Sequence, residues 1–397
     1  MSPTSSAIPD PSAADHSHPA AGALLELSLV PGLRGSSVAT LLSSFGGAPA
    51  LIAQPWRRLA EALDGALAGR LRAGPAAVSA ALAAAQAWAA QPGHRLLTLL
   101  DADYPARLAE LPDPPLVLWL KGRASLLHDP GVGVVGSRRA SPQGMLDAGA
   151  FARYLGKAGV TVISGLAEGI DGAAHRAALD TPGATLAVLA HGLDRIYPPV
   201  HRELAHQIAG QGLLVSEYPL GTPALRHHFP ERNRLISGLS LGVLVVEAAH
   251  GSGSLLTARS ALEQGREVMA LPGSIHSALS KGCHQLIREG ASLVESAAEV
   301  LALVLPRQLP PATAELPERP AQTVETADKD TRDVLSALAS GPASVDRLVA
   351  AIGLTASQVS TILGREELTG TVVRLSDGCY QRLIPGAAPA AAPARDS

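Results

Sequence analysis

The 397-residue sequence holds only two cysteines, Cys283 and Cys379. They lie far apart in unlike surroundings. That excludes a disulfide framework and a cysteine-built zinc site, and it fits a reducing cytoplasm. Aromatic residues make up 3% of the chain, which argues against a base-stacking platform of the kind common in sequence-tolerant nucleic-acid binders. No apolar run is long enough to span a membrane. The opening "MSPTSSAIPDPSAADHSHPA" lacks a basic segment followed by an apolar core, so residues 1–20 read as a disordered leader, not a signal peptide. Excess charge is missing too. The formal net charge of −3 does not favour a polyanion, although a local stripe of arginines can bind phosphate on a near-neutral protein. Arginine far outnumbers lysine, which reads as nucleotide-composition bias. Most histidines lie between residues 128 and 284 without an H-x-x-x-H pair, so neither a metal site nor a cofactor is expected.

What is present divides into zones. Residues 21–90 are rich in alanine and leucine and read as short helices. "LSLVPGLRGSSVATLLSSFGG" sets a tight Pro31-Gly32 turn between two of them. That turn resembles a helix-hairpin-helix or sterile-alpha-motif-like module, which either holds a DNA phosphate on backbone N–H groups or simply packs. Residues 91–305 alternate amphipathic segments with seven apolar runs: "LVLWL", "GVGVV", "VTVIS", "TLAVLA", "LLVSE", "GVLVVEA" and "EVMAL". Continuous hydrophobicity marks strands buried on both faces, and the alternation predicts an α/β fold, a doubly wound and mostly parallel sheet. Ligands on such sheets bind where the strands' carboxyl ends enter the helices. Residues 306–328 are rich in proline, glutamate and threonine and read as a linker. Residues 329–384 predict three helices and a hairpin turning at Asp377-Gly378, a winged helix. Its third helix opens with Thr355 and Gln358 at capping-box spacing. Residues 385–397 read as a disordered tail.

The stretch "GVGVVGSRRAS" from Gly131 has the letters of a dinucleotide fingerprint. Its first two glycines fall inside an apolar run, however, and the next strand ends in Ser164-Gly165 with no acidic ribose clamp. The working part is the turn Gly136-Ser137-Arg138-Arg139, with free N–H groups expected at the helix that follows from Ser141. "SGLAEGIDGAAHRAAL" begins at Ser164 and Gly165. Its Glu168 and Asp171 fit helix capping and loop bracing better than a catalytic carboxylate pair. In "HHFPERNRLISGLS", Arg232, Asn233 and Arg234 make a phosphate fork. Neither arginine has a carboxylate at i+4, the competing reading being a salt-bridge cluster with Glu231 or Glu247. Ser252, Gly253 and Ser254 precede a further helix carrying Thr257 and form an anion nest. Lys281 and His284 repeat the theme. Several such loops on one sheet edge predict an extended track for several phosphates.

These stretches, with "DADYPARLAELPDPPLVLWLKG", "LDRIYPPVHRELA" and "GCHQLIREGA", resemble the DNA-processing protein A family, DprA or Smf, from about residue 25 to 303. The resemblance implies a Rossmann-like core that binds single-stranded DNA and forms a homodimer. It implies a role in natural transformation, protecting incoming strands and loading the recombinase RecA, without enzymatic activity. Carried over by position, the DNA pocket takes in Ser137, Arg138, Arg232, Asn233, Arg234, the Ser252 to Ser254 loop and Lys281. His284 stands where many members carry asparagine, and the usual tryptophan near the N-terminal helix is missing.

Two other classes remain in view. The core also resembles the LOG-type nucleoside-monophosphate phosphoribohydrolases, which carry a glutamate at the end of P-G-G-x-G-T-x-x-E. Here Thr257 falls at that place, so the acid/base group is missing while nucleotide binding stays open. A transcription regulator would read DNA through Ser357, Gln358, Ser360, Thr361 and Arg365 of the winged helix, and one arginine is weak equipment for duplex DNA.

Overall fold

Each of the seven apolar runs forms a strand, and two further strands complete the sheet. The strands are β1 (His94–Thr98), β2 (Val117–Gly122), β3 (Gly131–Val135), β4 (Thr161–Ser164), β5 (Thr185–Leu189), β6 (Leu213–Ser216), β7 (Gly242–Val245), β8 (Glu267–Ala270) and β9 (Ser292–Leu293). Their order is β1-β2-β6-β5-β4-β3-β7-β8-β9. Pairing is parallel from β6 to β9 and antiparallel at β1–β2 and β2–β6. The computed structural model describes residues 19–34, 36–305, 329–375 and 378–383. Residues 1–18, the linker, the tail and Asp377 of the expected hairpin turn lie outside the described residues, whereas residues 19 and 20 of the expected leader open the first helix.

Six helices precede the sheet: α1 (Pro19–Ser28), α2 (Ser36–Phe45), α3 (Ala48–Ile52), α4 (Trp56–Glu61), α5 (Gly65–Arg72) and α6 (Ser79–Ala89). A short α7 (Ala106–Ala109) lies between β1 and β2. After β3 come α8 (Pro142–Lys157), α9 (Ile170–Ala178), α10 (Arg202–Gln211), α11 (His228–Leu239), α12 (Gly253–Glu263), α13 (Lys281–Arg288) and α14 (Ala297–Val304). The helices cover both sheet faces. Phe151 and Leu155 of α8, Ile170 of α9 and Val300 of α14 pack with Val132 and Val134. Leu235 and Ile236 of α11, Ala258 of α12 and Leu286 of α13 pack with Val135 and Val243 on the other side. The N-terminal helices and α10 share a third cluster, in which Leu24, Leu41 and Leu71 meet Trp119, Leu189 and Leu204. Among the described residues no single helix is long and apolar enough to cross a membrane.

The winged helix has a core of its own around Val334, Leu348, Val359 and Leu363. It is built from α15 (Lys329–Ala337), α16 (Val345–Ile352), α17 (Ala356–Leu368) and the pair β10 (Val372–Arg374) and β11 (Tyr380–Arg382). The capping box forms as the spacing predicts: Gln358 N–H donates to Thr355 Oγ1 at 3.3 Å, and Thr355 N–H donates to Gln358 Oε1 at 2.9 Å.

The chain steps outward from β3 through β4 and β5 to β6, then returns to lay β7 on the other side of β3. The loops leaving β3 and β7 therefore diverge, and a crevice opens between them. The loop after β4 forms one wall and is held rigidly. Gly165 and Ala167 donate their N–H groups to Asp171 Oδ2 at 3.1 and 3.3 Å. Leu166 takes a left-handed φ of 57°, which L side chains rarely adopt. Its N–H donates to His175 Nε2 at 3.3 Å, and its carbonyl accepts from His201 Nδ1 at 2.9 Å. His175 Nδ1 meets Thr185 Oγ1 at 2.7 Å, and that hydroxyl donates to Val162 O. This network requires a neutral His175 with its proton on Nδ1. Burial, seconded by His201 and nearby arginines, pushes the His175 pKa down to about 3.

A stability prediction follows from the sign of that shift. Above the unfolded-state value of about 6.5 both states are neutral; below it the unfolded chain binds a proton that the folded chain refuses. His175 thus removes stability as pH falls from about 6.5 towards 3, by about 2 kcal/mol at pH 5. Urea unfolding of the wild type and of His175→Asn at neutral and mildly acid pH measures this. The variant loses that part of the pH dependence, and equal pH dependence in both chains would refute it.

Candidate nucleic-acid interface

The crevice is a cleft of ≈ 980 Å³. It brings together Gly136, Ser137, Arg138 and Arg139 from the loop after β3, Arg232 and Asn233 from α11, and Ser252, Gly253, Ser254 and Thr257 from the start of α12. Gly165 lines a smaller neighbouring cavity with Arg138, Tyr197 and Phe229. Ser164, Arg234, Lys281 and His284 line neither.

The β3 loop is fixed by Glu247, which follows β7. The Glu247 carbonyl accepts from Ser137 N–H at 2.7 Å. Its carboxylate accepts from Ser141 N–H at 2.9 Å and from Ser141 Oγ at 2.6 Å, and Ser141 Oγ caps Gly144 N–H. A Cβ on Gly144 would lie 2.4 Å from the carboxylate carbon, so any larger residue there would displace the carboxylate from Ser141. This corrects the expectation of free N–H groups at this helix start. The positive end of the α8 dipole is already occupied by a protein carboxylate. Burial raises the Glu247 pKa, and its bonds to Ser141 oppose the rise. What the loop offers a ligand is the exposed pair Arg138 and Arg139, neither of which forms an ion pair among the described residues. Ser137 Oγ accepts from Arg139 N–H at 3.1 Å and holds the turn.

Helix α11 turns its residues two ways. Arg232 is 3% exposed at the cleft floor and donates to Val188 O at 2.7 Å. Its guanidinium lies against Gly165, where a Cβ would fall 1.8 Å from Nη1. Burial lowers its pKa to about 10 against the pull of Asp171, so it stays charged near neutrality. Its Nε has no partner among the described residues. Burial likewise raises the Asp171 pKa, with Arg232 and the Gly165 and Ala167 N–H groups opposing. Asn233 Nδ2 reaches Gly253 O at 3.4 Å and ties α11 to α12. Arg234 does not join the fork. It pairs with Glu217 at 2.6 Å and Asp113 at 3.1 Å on the helix's far side. The salt-bridge reading therefore holds for Arg234, with partners distant in sequence in place of Glu231 or Glu247. Successive helical residues point about 100° apart, so three consecutive residues cannot all face one cleft.

The helix starts differ in what they leave open. At α9, Asp171 takes the N–H groups of Gly165 and Ala167, and Ile170 N–H goes to Ser137 O. At α13, Gly282 N–H goes to Ala248 O, Lys281 Nζ donates to Ile275 O, and His284 Nε2 meets the Gly273 carbonyl at 3.0 Å. Ser164 Oγ donates to Val134 O inside the sheet. At α12 the Ser252 hydroxyl pairs with Ser254 Oγ and does not cap the helix, and no protein acceptor meets the N–H groups of Gly253 and Ser254 among the described residues. The extended track thus contracts to one open helix end with arginines around it.

Among the polar and aromatic lining residues, sequence reasoning missed four: Tyr197, Arg226, Phe229 and His250. The Phe229 and Tyr197 rings lie 5.7 Å apart, and the Arg138 guanidinium is 5.0 Å from the Phe229 ring. Two of the chain's few rings thus meet at this cleft, tilted by 58° to each other. The signal was available in Phe229, one residue before Pro230 in the arginine motif itself. Asp171 is the one carboxylate lining the cleft, and its oxygen braces the loop; Glu168 stands outside the cleft at the smaller cavity.

Residues 95–305 match the family model described as DNA recombination-mediator protein A, and residues 317–378 match the DprA winged helix domain. Protein Smf of Escherichia coli (strain K12) is 42% identical over 302 residues, which cover 75% of this chain and 79% of that protein. DNA processing protein DprA of Streptococcus pneumoniae is 48% identical over 205 residues, covering 52% and 72% respectively. The X-ray structure of DprA from Streptococcus pneumoniae superposes with a TM-score of 0.64 at 37% identity, covering 71% of this chain and 97% of that one. With its doubly wound sheet, its winged helix and these matches, the chain belongs to the DNA recombination-mediator protein A family.

Proposed function

We propose that the cleft binds single-stranded DNA, without catalysis, as part of DNA processing in natural transformation. The carrying observation is the pairing of unneutralised charge with two rings at the cleft, Tyr197 exposed and Phe229 half-buried. Arg138, Arg139 and Arg226 are exposed at the rim, Arg232 is charged at the floor, and the single lining carboxylate is engaged in the loop. Phosphates would sit at the open start of α12 and against these arginines. Bases would stack on Phe229 and Tyr197, which requires them to be unpaired and so selects single strands. Family membership supports the wider role: two copies joining their clefts, protection of incoming strands, and loading of RecA onto them.

The hydrolase reading loses support here. Thr257 is buried and carries no carboxylate, and among the described residues the one carboxylate lining the cleft, Asp171, is engaged in bracing the loop. The duplex-reading role of the winged helix weakens as well, because Arg365 bonds Thr331 and Glu366.

Arg138→Ala should weaken oligo-dT binding and flatten its salt dependence by about 0.7 log unit of affinity per log unit of salt for each phosphate it no longer neutralises. Fluorescence anisotropy across a salt series measures both, and an unchanged slope would make Arg138 structural. Gly165→Ala should displace the Arg232 guanidinium and weaken binding although residue 165 carries no charge; wild-type affinity in that variant would remove Arg232 from the site. Turnover of a nucleoside monophosphate by the wild type would overturn the proposal in favour of the hydrolase.

A further inference from the structure

Residue Arg34 follows the Pro31-Gly32 turn between α1 and α2, in the N-terminal helical unit. Its guanidinium lies 4.0 Å from the centre of the Tyr218 ring. The Tyr218 hydroxyl donates to Glu231 Oε2 at 2.9 Å, and the Tyr218 N–H is held by Ser216 Oγ at the end of β6. Glu231 sits one residue before Arg232. On the same flank of α11, Glu217 and Asp113 hold Arg234. Residues 231 and 234 are thus gripped from outside, while Phe229, Arg232 and Asn233 face the cleft. Arg34 Nη1, Glu217 Oε1 and Arg234 Nη1 are buried without partners among the described residues, and their residues line one polar cavity of ≈ 20 Å³. That space suits a single bridging water with three groups to bind it.

We propose that Arg34 is a positioning residue for the cleft: through Tyr218 and Glu231 it couples the N-terminal helical unit to α11 and so sets the placement of Arg232, Asn233 and Phe229. The inference rests on the single-stranded DNA reading for its functional effect, but the mechanical link is measurable without DNA. A helix gripped on one flank shifts as a body when the grip is released, and side chains on the other flank move with it.

The test uses the full-length chain with three variants, Arg34→Met, Arg34→Lys and Tyr218→Phe. Arg34→Met keeps much of the apolar stem and removes the guanidinium, while Tyr218→Phe keeps the ring and cuts the bond to Glu231. Both should weaken oligo-dT binding about fivefold with an unchanged salt slope, since every phosphate-binding cation is still in place. Arg34→Lys should fall between Arg34→Met and the wild type. Hydrogen exchange without DNA should speed up across residues 228–239 in Arg34→Met and stay unchanged in α8. Wild-type exchange across α11 in a folded Arg34→Met chain would overturn the coupling. Faster α11 exchange with unaltered DNA affinity would confine Arg34 to stability and overturn its positioning role. Failure of the wild type to bind oligo-dT would sink the DNA reading and leave the exchange result to decide the link.

Discussion

Glu247 ties together the loops that leave β3 and β7, at the place where the two halves of the sheet part. A doubly wound sheet has to separate the loops after β3 and β7, and that separation creates the cleft but leaves two adjacent loops without a shared ladder. One residue bridges them with both its groups. Its peptide carbonyl continues the pairing to Ser137, and its carboxylate caps α8 through Ser141. The glycines at 136 and 144 are shaped around it: a Cβ at Gly136 would meet the Glu247 carbonyl at 2.9 Å, and one at Gly144 would meet the carboxylate. The arginine turn owes its fixed position to this acid, which itself lies outside the cleft lining.

That arrangement explains how a protein with a slightly acidic balance can present a cationic cleft. Most polar groups at this sheet edge satisfy one another. Glu247 meets α8, Asp171 meets the β4 loop, Gly282 meets Ala248, and Glu217 with Asp113 neutralises Arg234. The charge left over is small in total but confined to one crevice, where low-dielectric walls concentrate its field. Local surplus, and not global composition, decides what such a surface attracts.

The sheet was legible because strands buried on both faces read as unbroken apolar runs. β1 escaped because it opens with His94 and Arg95 at the sheet edge, and β9 because it is two residues long. The third helix of the winged helix was legible from its start because a capping box is local, Thr355 and Gln358 standing three apart. The site was legible in its loops and less so in its pairings. Arg234 finds its acids 17 and 121 positions away in the sequence, and Ser141 finds Glu247 at 106, separations that no helical periodicity encodes. The aromatic pair was hidden for a similar reason: Tyr197 and Phe229 lie far apart in the chain, and only the fold brings their rings together.

The N-terminal helices look detachable in the sequence, yet their leucines belong to the same apolar cluster as Trp119, Leu189 and Leu204 of the sheet and its α10 cover. Trp88 of α6 meets Trp119 edge-on at 5.2 Å and stacks with His94 at 4.3 Å. Proteolytic or genetic excision ahead of β1 would therefore uncover a contiguous greasy face on the sheet instead of trimming a neutral appendage. A shortened chain of that kind would meet water with its own interior, which favours self-association through that face.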